Sequence, residues 1–329
     1  MATIKDIANI LHISTGTVSK GLNGANDISE ELRTKILDTA VSVGYMTKKM
    51  KQRDSWTVCI FVENMDLSTN QFGYEIILGF KQEAIKSGLK VEIVNSTLEM
   101  QKEEKYDSYM MKRGYKAGFF VGFTLNDPWL KNIANTQTPT VLLDNIEERN
   151  PHVAYIGTDS GEGLEEAIAY LSRLGHKKIA FLNGEEDSYI SNNRAHCFRK
   201  SCKKYKVDFT DLIENGDYTI ECAKQYVEGF INKGATAICT SSDLMAMGVI
   251  NECERLGKKV PEDISVIGFD DLPLSAHMTP PLTTIRQSRI DLGKQGFMTL
   301  YGLLNGVRIS HTTLRPEFII RKTTSLAKV

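Results

Sequence analysis

The segment from Thr15 to Asn23 concentrates hydroxyl-bearing and basic side chains, the types that hydrogen-bond to nucleic-acid phosphates and base edges. Its only apolar side chains are Val18 and Leu22, which lie four residues apart and so form one narrow stripe of a helix. Ser14 precedes the segment as a favourable N-cap. A helix with so little apolar surface makes sense when its polar side lies against another molecule. The pattern therefore predicts a short helix that binds DNA.

Two more helices are predicted around this segment. Thr3 and Asp6 have the spacing of a capping box in front of an amphipathic helix. Ser29 is positioned to N-cap a third helix, which ends at Gly44. A helix, a tight turn and a second polar helix form the helix-turn-helix pattern, whose second helix enters the major groove. An ordinary helical hairpin is the alternative interpretation.

A dense basic run, Lys48-Lys49-Met50-Lys51-Gln52-Arg53, follows this predicted head. Its position favours contact with DNA phosphates, and the alternative is a solvated linker. The whole chain is nearly neutral, with 40 Lys and Arg against 41 Asp and Glu, so global charge neither supports nor opposes nucleic-acid binding.

The 329 residues suggest two or three domains. The six cysteines lack metal-site spacing, which favours reduced thiols and no metal site. We find no signal-peptide pattern and no apolar run near the length of about twenty residues that spans a membrane. These features predict a soluble cytoplasmic protein.

From Trp56 onward, short apolar runs alternate with amphipathic helices, which predicts parallel sheets flanked by helices. A break near residue 160 divides them into two doubly wound lobes. Ligands of such lobes bind at the carboxyl ends of strands, where Asp144, Asp243, Asp270 and Asp271 lie. The predicted strands are Thr57–Val62, Leu89–Val94, Ala117–Gly122, Thr140–Asp144, Ile179–Asn183, Ala237–Thr240 and Ile264–Phe269.

Six motifs together resemble the lactose-repressor and galactose-repressor family of bacterial transcription regulators. They occur in the family's order and spacing, which makes the resemblance specific and extends it over nearly the whole chain. The motifs are Thr3-Ile4-Lys5-Asp6-Ile7-Ala8 with Ser14, Thr17-Val18-Ser19-Lys20 and Asn23; Leu174 to Phe181; Ser242-Asp243 with Ala246 and Gly248; Ile264 to Asp271; Pro280 to Gln287; and Arg321 to Thr324.

The resemblance implies an α/β fold class: an N-terminal three-helix helix-turn-helix domain, then two doubly wound parallel lobes of the periplasmic-binding-protein type. The implied ranges are 1–46 for the head, 47–55 for a basic linker, 56–158 with 288–320 for the first lobe, and 159–287 with 321–329 for the second. It further implies a homodimer bound to a roughly palindromic operator. A small effector between the lobes, which we expect to be a sugar or sugar derivative, would shift operator affinity through a change in conformational populations.

At the family's base-contacting positions stand Thr15, Gly16 and Lys20. Lys20 can donate to guanine O6 or N7, whereas Gly16 has no side chain and only permits close approach. The remaining predicted DNA contacts are to the backbone, which positions the protein without specifying sequence. They are Thr3, Ser14, Thr17, Ser19, Asn23, Ser29, Lys48 and Lys49.

The segment after the head departs from the family. There, Tyr-x-Pro-Asn-x-x-Ala-x-x-Leu forms a hinge helix whose Leu wedges into the minor groove. Here Thr47 replaces the proline, Lys48 the asparagine, Lys51 the alanine and Asp54 the wedge. Because a carboxylate does not enter a stacked base step, we expect a basic tether and less DNA kinking. A sharp central kink in a gel-based bending assay would contradict this hypothesis.

The family's effector positions carry over to Asp144, Arg194, Tyr218 and Asp243. Carboxylates and a guanidinium can bind vicinal hydroxyls in pairs, while an aromatic ring covers a sugar's apolar face. Three of them have a structural alternative: Asp243 could N-cap a helix, Arg194 could serve in an ion pair, and Tyr218 could be packing. Weaker candidates for the pocket are Phe72, Tyr74, Trp129 and His277.

Two other function classes compete with a ligand-gated regulator. An exported solute-binding protein would explain the lobes but leave the head unexplained, and it would need a signal peptide. An enzyme would need a phosphate-binding loop or a nucleophile with its base, and GxGxxG, GxSxG and GxxxxGK[ST] do not occur. We therefore expect no enzymatic activity and no cofactor.

Overall fold

A computed structural model describes residues 2–45, 56–63 and 72–328, which divide into two compact units. The first unit contains the head and the first sheet, and the second contains the second sheet. None of the helices in these described ranges is long and apolar enough to cross a membrane.

The head consists of α1 (Ile4–Leu11), α2 (Thr15–Leu22) and α3 (Glu30–Ser42). The capping box between Thr3 and Asp6 is confirmed, as are the N-caps Ser14 and Ser29. Each cap satisfies a backbone amide that has no partner within its helix. The three helices close over a small core that contains Ile7, Ala8, Val18, Ile36, Leu37 and Ala40.

The first lobe is built on a six-stranded sheet in the order β11-β5-β4-β3-β1-β2, in which β1 to β5 are parallel. β1 is fully buried, as expected for a parallel strand covered on both faces. In chain order the elements are β1 (Thr57–Val62), α4 (Phe72–Lys86), β2 (Lys90–Asn95), α5 (Leu98–Glu103), α6 (Tyr106–Arg113), β3 (Ala117–Val121), α7 (Pro128–Lys131), β4 (Thr140–Leu143), β5 (Val153–Thr158) and, far along the chain, β11 (His311–Leu314).

An aromatic cluster fills one side of this sheet. Phe61 contacts Phe120 and Trp129 edge to face, with ring centroids 5.6 and 5.2 Å apart. The Trp129 ring is buried, and its Nε1 donates to the Glu104 carbonyl at 2.8 Å. Trp129 therefore belongs to the aromatic core of the first lobe.

The second lobe repeats this plan with the strand order β12-β10-β9-β8-β6-β7. β6 to β10 are parallel, and β12 pairs with β10 antiparallel. The elements are α8 (Ser160–Arg173), β6 (Ile179–Asn183), α9 (Tyr189–Tyr205), β7 (Ile213–Asn215), α10 (Ala223–Asn232), β8 (Ala237–Thr240), α11 (Asp243–Arg255), β9 (Ser265–Asp270), β10 (Thr283–Arg286), α12 (Arg289–Leu304), whose later turns belong to the first unit, and β12 (Glu317–Ile319).

Each lobe reverses its strand order once, between β1 and β3 in the first sheet and between β6 and β8 in the second. Such a reversal opens a crevice at the carboxyl ends of the two strands, where ligands of this fold class bind. The carboxyl edge of each sheet is therefore the place to look for a site.

β12, which falls within the range predicted for the first lobe, lies in the second sheet, and the first compact unit ends at Thr312. β12 has three residues of mixed polarity, which is too short for a periodic signal. The helix expected from Gly163 begins earlier, at Ser160, with Asp159 as its N-cap.

Candidate DNA-binding surface and effector site

The polar side of α2 is open to solvent. Thr15, Gly16 and Lys20, the predicted base-contacting residues, are all exposed, while Thr17 and Ser19 are half-buried. Val18 packs inward and is fully buried. The narrow apolar stripe thus anchors α2, and the remaining surface is available for a partner.

Lys20 has a partner that the sequence did not indicate. Its ammonium forms an ion pair with Asp27, and this contact lowers the pKa of the Asp27 carboxyl. Both side chains are more than half exposed, so water and salt screen the attraction. The ion pair uses one of the three donors of the Lys20 ammonium, so Asp27 competes with a base for this side chain.

Most of the predicted phosphate-contacting groups already make local hydrogen bonds. The Thr3 hydroxyl donates to Asp6 at 2.8 Å, and Asn23 Nδ2 donates to the Ser19 carbonyl at 2.8 Å. Ser14 Oγ accepts from the Thr17 amide at 3.0 Å. These bonds stabilise the helix ends, and the side chains remain at the head surface, where phosphate contact stays a prediction. Lys48, Lys49 and the departing hinge positions lie outside the described residues, so their roles also stay predictions.

In the second lobe, polar side chains cluster at the carboxyl edge of the sheet, around the reversal between β6 and β8. Ser241 Oγ donates to Asn183 Oδ1 at 2.9 Å. Gln287 Nε2 donates to Asp270 Oδ1 at 2.7 Å. Arg194 reaches the same edge from α9, since its Nη1 donates to the Ser241 carbonyl at 2.7 Å. We call Asn183, Arg194, Ser241, Asp270 and Gln287 the polar edge.

Arg194 is buried, and its guanidinium lies 3.9 Å from the centroid of the Phe269 ring. Its Nε is buried and has no hydrogen-bond partner. A buried donor without a partner lowers the stability of the folded state. Such a group can be explained by a polar ligand that accepts its hydrogen bond. In place of the ion pair considered as its structural alternative, Arg194 makes a ring contact and a carbonyl contact.

Asp270 ends β9 with φ of 111°, a conformation that side-chain-bearing residues rarely adopt. Burial raises the pKa of its carboxyl to about 6, although the charges of Arg194 and Arg289 and the hydrogen bond from Gln287 oppose the rise. Asp270 and Arg194 thus supply a buried acceptor and a buried donor at one edge. The sequence placed Asp270 at a strand end but did not select it as a contact.

Asp243, which the sequence did select, lies in the interior of the lobe. Its Oδ2 accepts from the Leu272 amide at 2.8 Å and from Ser275 Oγ at 2.5 Å, and its Oδ1 accepts from Thr284 Oγ1 at 2.5 Å. Burial, followed by the charge of Asp270, raises its pKa to about 7. The carboxylate therefore joins three segments of the lobe, namely α11, the turn from Leu272 to Ser275 and β10, and its oxygens are occupied by the lobe's own donors. It is not the helix cap either, because Ser242 caps α11.

The other predicted effector residues have different local surroundings. Tyr218 has φ of 62° and packs against Gly184, where a Cβ atom would lie 2.1 Å from the ring. Its hydroxyl is 2.7 Å from Ser191 Oγ. The ring of Tyr218 therefore packs against the chain after β6, and its hydroxyl makes a polar contact with α9. Asp144 follows β4 of the first lobe with φ of 55°, while Phe72 is half-buried and His277 is exposed. Within the described ranges, no group of three or more His, Cys, Asp or Glu side chains could hold a metal.

A compact head with an exposed polar helix, joined in one chain to two parallel lobes with polar strand ends, defines a DNA-binding regulator with a ligand-binding body. Comparison with known proteins supports this class. Residues 3–48 match the model of bacterial regulatory proteins of the lacI family, and residues 168–324 match the periplasmic binding protein-like domain.

The chain belongs to the lacI family. It is 30% identical to the ribose operon repressor of Bacillus subtilis (strain 168), with 98% of this chain and 99% of the relative covered. It is 27% identical to the transcriptional repressor CytR of Escherichia coli (strain K12), with 98% and 96% covered. The protein is accordingly a transcription regulator that binds DNA in a sequence-specific manner, not an enzyme.

Solved structures share the fold. A complex of the transcriptional regulator CelR with cellobiose has a TM-score of 0.75 and 21% identity, with 98% of this chain and 100% of that one covered. A lac repressor dimer bound to operator and the anti-inducer ONPF has a TM-score of 0.72 and 24% identity, with 98% and 99% covered.

Proposed function

We propose that this protein is a transcriptional repressor that binds its operator as a homodimer and is controlled by a small polyhydroxy effector, a sugar or sugar derivative. The observation that carries the proposal is the exposed hydroxyl-rich and basic surface of α2 within a head of the lacI family. A regulator of this kind acts where the chromosome is, so we place it in the cytoplasm.

The names of relatives support a sugar effector. They include a ribose operon repressor, the cellobiose complex of CelR, and an Enterococcus faecium regulator with bound ribose. The polar edge has suitable chemistry, since Asp270 accepts hydrogen bonds, Arg194 donates them and the Gln287 amide does both. Vicinal hydroxyls, each a donor and an acceptor, fit such an alternating set.

As effector contacts in the second lobe we propose Arg194, Asp270 and Gln287, with Tyr218 beside them. Asp270 replaces Asp243 in this set because the carboxylate of Asp243 is occupied by the lobe's own donors. Asp144 stays a candidate contributed by the first lobe, and Phe72 and His277 stay weaker predictions.

Exposed apolar side chains on the first lobe support a homodimer. Leu78 and Ile85 of α4 are 40% and 69% exposed, and Ile93 on the edge strand β2 is 43% exposed. Exposed apolar side chains of this size are candidates for a surface that a partner covers.

The DNA-binding proposal can be tested by selecting duplexes from a random library with the purified full-length protein. We expect a roughly palindromic consensus and an affinity that falls steeply with salt, because phosphate contacts release counterions. Failure to enrich any duplex, with and without added sugars, would refute the proposal.

The effector proposal can be tested by thermal shift and calorimetry with ribose, cellobiose and nucleosides. We expect one compound to raise the melting temperature and to change operator affinity. Arg194→Ala and Asp270→Asn should remove this shift, whereas Asp208→Asn, an exposed carboxyl on the same lobe, should keep it. Unchanged effector binding in both Arg194→Ala and Asp270→Asn would reject the polar edge as the site.

A further inference from the structure

The head makes a direct side-chain contact with the first lobe, within one compact unit. Asp38 of α3 accepts from Ser108 Oγ at 2.7 Å and from Lys105 Nζ at 2.5 Å. Ser108 is buried, and its neighbour Met111 on α6 is also buried and joins the head's apolar core beside Leu37. The hydrogen bonds of Asp38 and the packing of Met111 are two separate contacts, and together they fix the position and orientation of the head on the first lobe.

We propose that this junction of α3 with α6 is a docking device that holds the head in a DNA-binding orientation. The inference rests on the proposed DNA binding and adds a second connection between head and body, alongside the linker. It also gives a physical meaning to the departure in residues 47–54, because a head held by its lobe depends less on a hinge helix that folds on DNA.

The docked head leaves its DNA-binding surface free. Docking uses the second half of α3, whereas the predicted base-contacting residues of α2 are exposed on the same head. α2 is coupled to α3 by close contact, since a Cβ atom on Gly21 would lie only 2.5 Å from Ile36 Cδ1. A movement of α6 is therefore passed through α3 to α2 without a flexible joint between them.

The junction is also built to be released. Lys105 is 77% exposed and Asp38 31% exposed, so solvent screens their attraction. A cleft of about 1110 Å³ flanks the contact, lined by α3 on one side and by residues of α5, α6 and α7 on the other. Docked and released heads can therefore both be populated, and apparent affinity for DNA is reduced in proportion to the released fraction.

Charge makes the test specific. Removing a carboxylate from a DNA-binding head lowers its repulsion from phosphates, so electrostatics alone predicts that Asp38→Ala tightens binding. Docking predicts the opposite. We expect Asp38→Ala and Ser108→Ala to weaken binding of the selected duplex by about five- to ten-fold, with the salt dependence unchanged because the phosphate contacts remain.

Glu31→Ala is the matched control, because it removes a carboxylate from the same helix at a position that, among the described residues, pairs with Lys35 of the head. We expect it to bind within about two-fold of wild type or more tightly, as counterion release predicts. The proposal is overturned if Asp38→Ala and Ser108→Ala both bind at least as tightly as Glu31→Ala. Circular dichroism melts verify folding, and Asp38→Asn replaces Asp38→Ala if the latter unfolds.

Hydrogen–deuterium exchange of the full chain tests docking without DNA. We expect peptides that cover α3 and α6 to exchange several-fold faster in Asp38→Ala and Ser108→Ala than in wild type and Glu31→Ala. Equal exchange in all four proteins would contradict docking even if they bind DNA. If wild type binds no duplex but shows the exchange difference, the proposed function fails and the junction stands.

Discussion

At the scale of single residues, two aspartates of the second lobe, Asp243 and Asp270, look equivalent in the sequence, but one faces the interior of the lobe and the other lies at the edge of its sheet. Asp243 and Asp270 both follow strands of one sheet, and both were expected near its carboxyl edge. Asp270 is the last residue of β9 and remains at the edge, whereas Asp243 begins α11 and faces inward. Whether such an aspartate ends a strand or begins a helix depends on the position of the boundary to within one or two residues. Hydrophobic periodicity does not define helix starts with that precision.

Asp243 should make the stability of the protein depend on pH in a predictable direction. Its pKa is raised from an ordinary value of 3.8 to about 7 in the folded state, so the folded state keeps a proton that the unfolded chain loses. Stability from this group is therefore complete below about pH 4 and is lost as pH rises towards 7. Urea denaturation between pH 4 and 7.5 measures the effect.

The neutral variant Asp243→Asn provides the reference for this effect. Titrating groups that do not interact with position 243 cancel in the difference between the two proteins, so wild type should lose roughly 1 kcal/mol per pH unit relative to the variant over this range. A difference that is constant with pH, or that grows in the opposite direction, would contradict a proton held at Asp243.

Gly16 offers a test of DNA specificity. A Cβ atom there would have only Ser14 Oγ, at 3.6 Å, within contact distance, so a larger side chain fits. Gly16→Gln should leave the head folded and add a new base preference of about 1–3 kcal/mol, because a bidentate amide favours adenine. Selection from a randomised duplex library measures this. A consensus identical to that of wild type would show that position 16 does not approach base edges.

At the scale of elements, most of the apolar strands were predicted, whereas β5, α12 and the three-residue strands β7 and β12 were missed. β1, β6 and β8 are continuous apolar runs and appear where the sequence indicated them. β7 and β12 have three residues each and owe their conformation to the strands they pair with. Tertiary pairing of this kind leaves no local signal.

Close approach between elements explains why one helix contains glycine. A Cβ atom on Gly248 of α11 would lie 2.1 Å from the Ile220 carbonyl oxygen, which is backbone and cannot rotate away. We expect Gly248→Ala to lower the free energy of unfolding by about 1–3 kcal/mol through overpacking, as urea titration would measure.

Gly229 of α10 is the matched control, since it lies in a helix of the same lobe with no atom within 4 Å of an added Cβ. There, alanine should be neutral or stabilising by up to about 1 kcal/mol, because only helix propensity changes. Equal effects at the two positions would contradict the close contact at Gly248.

At the scale of the whole molecule, the fold class and the helix-turn-helix head were predictable because motifs and periodicity agree along the chain. The polar edge was only partly predictable. Arg194 was identified by its motif, but its contact with Phe269 depends on two distant segments that meet only in the fold.

The exposed apolar side chains on the first lobe predict how the assembly responds to mutation. Ile85→Glu places a charge on the proposed dimer surface, and burial of an unpaired charge is strongly unfavourable. We expect a monomer in light scattering and an operator affinity reduced by at least about ten-fold, since a palindrome is then contacted by one head at a time. Ile320→Glu, a similarly exposed isoleucine of the second lobe, should remain dimeric. A dimer in both variants would exclude α4 from the interface.

Met111, which the first lobe contributes to the apolar core of the head, has a consequence for protein engineering. DNA-binding heads are often grafted onto other proteins. The apolar core of this head includes Met111 of α6, so a graft without α6 would leave a cavity there. A chimaera that joins residues 1–45 to another protein would lose the packing of Met111 and the hydrogen bonds that Asp38 accepts from Ser108 and Lys105. We therefore expect that the head keeps its full stability only when it is transferred together with α6 of its own body.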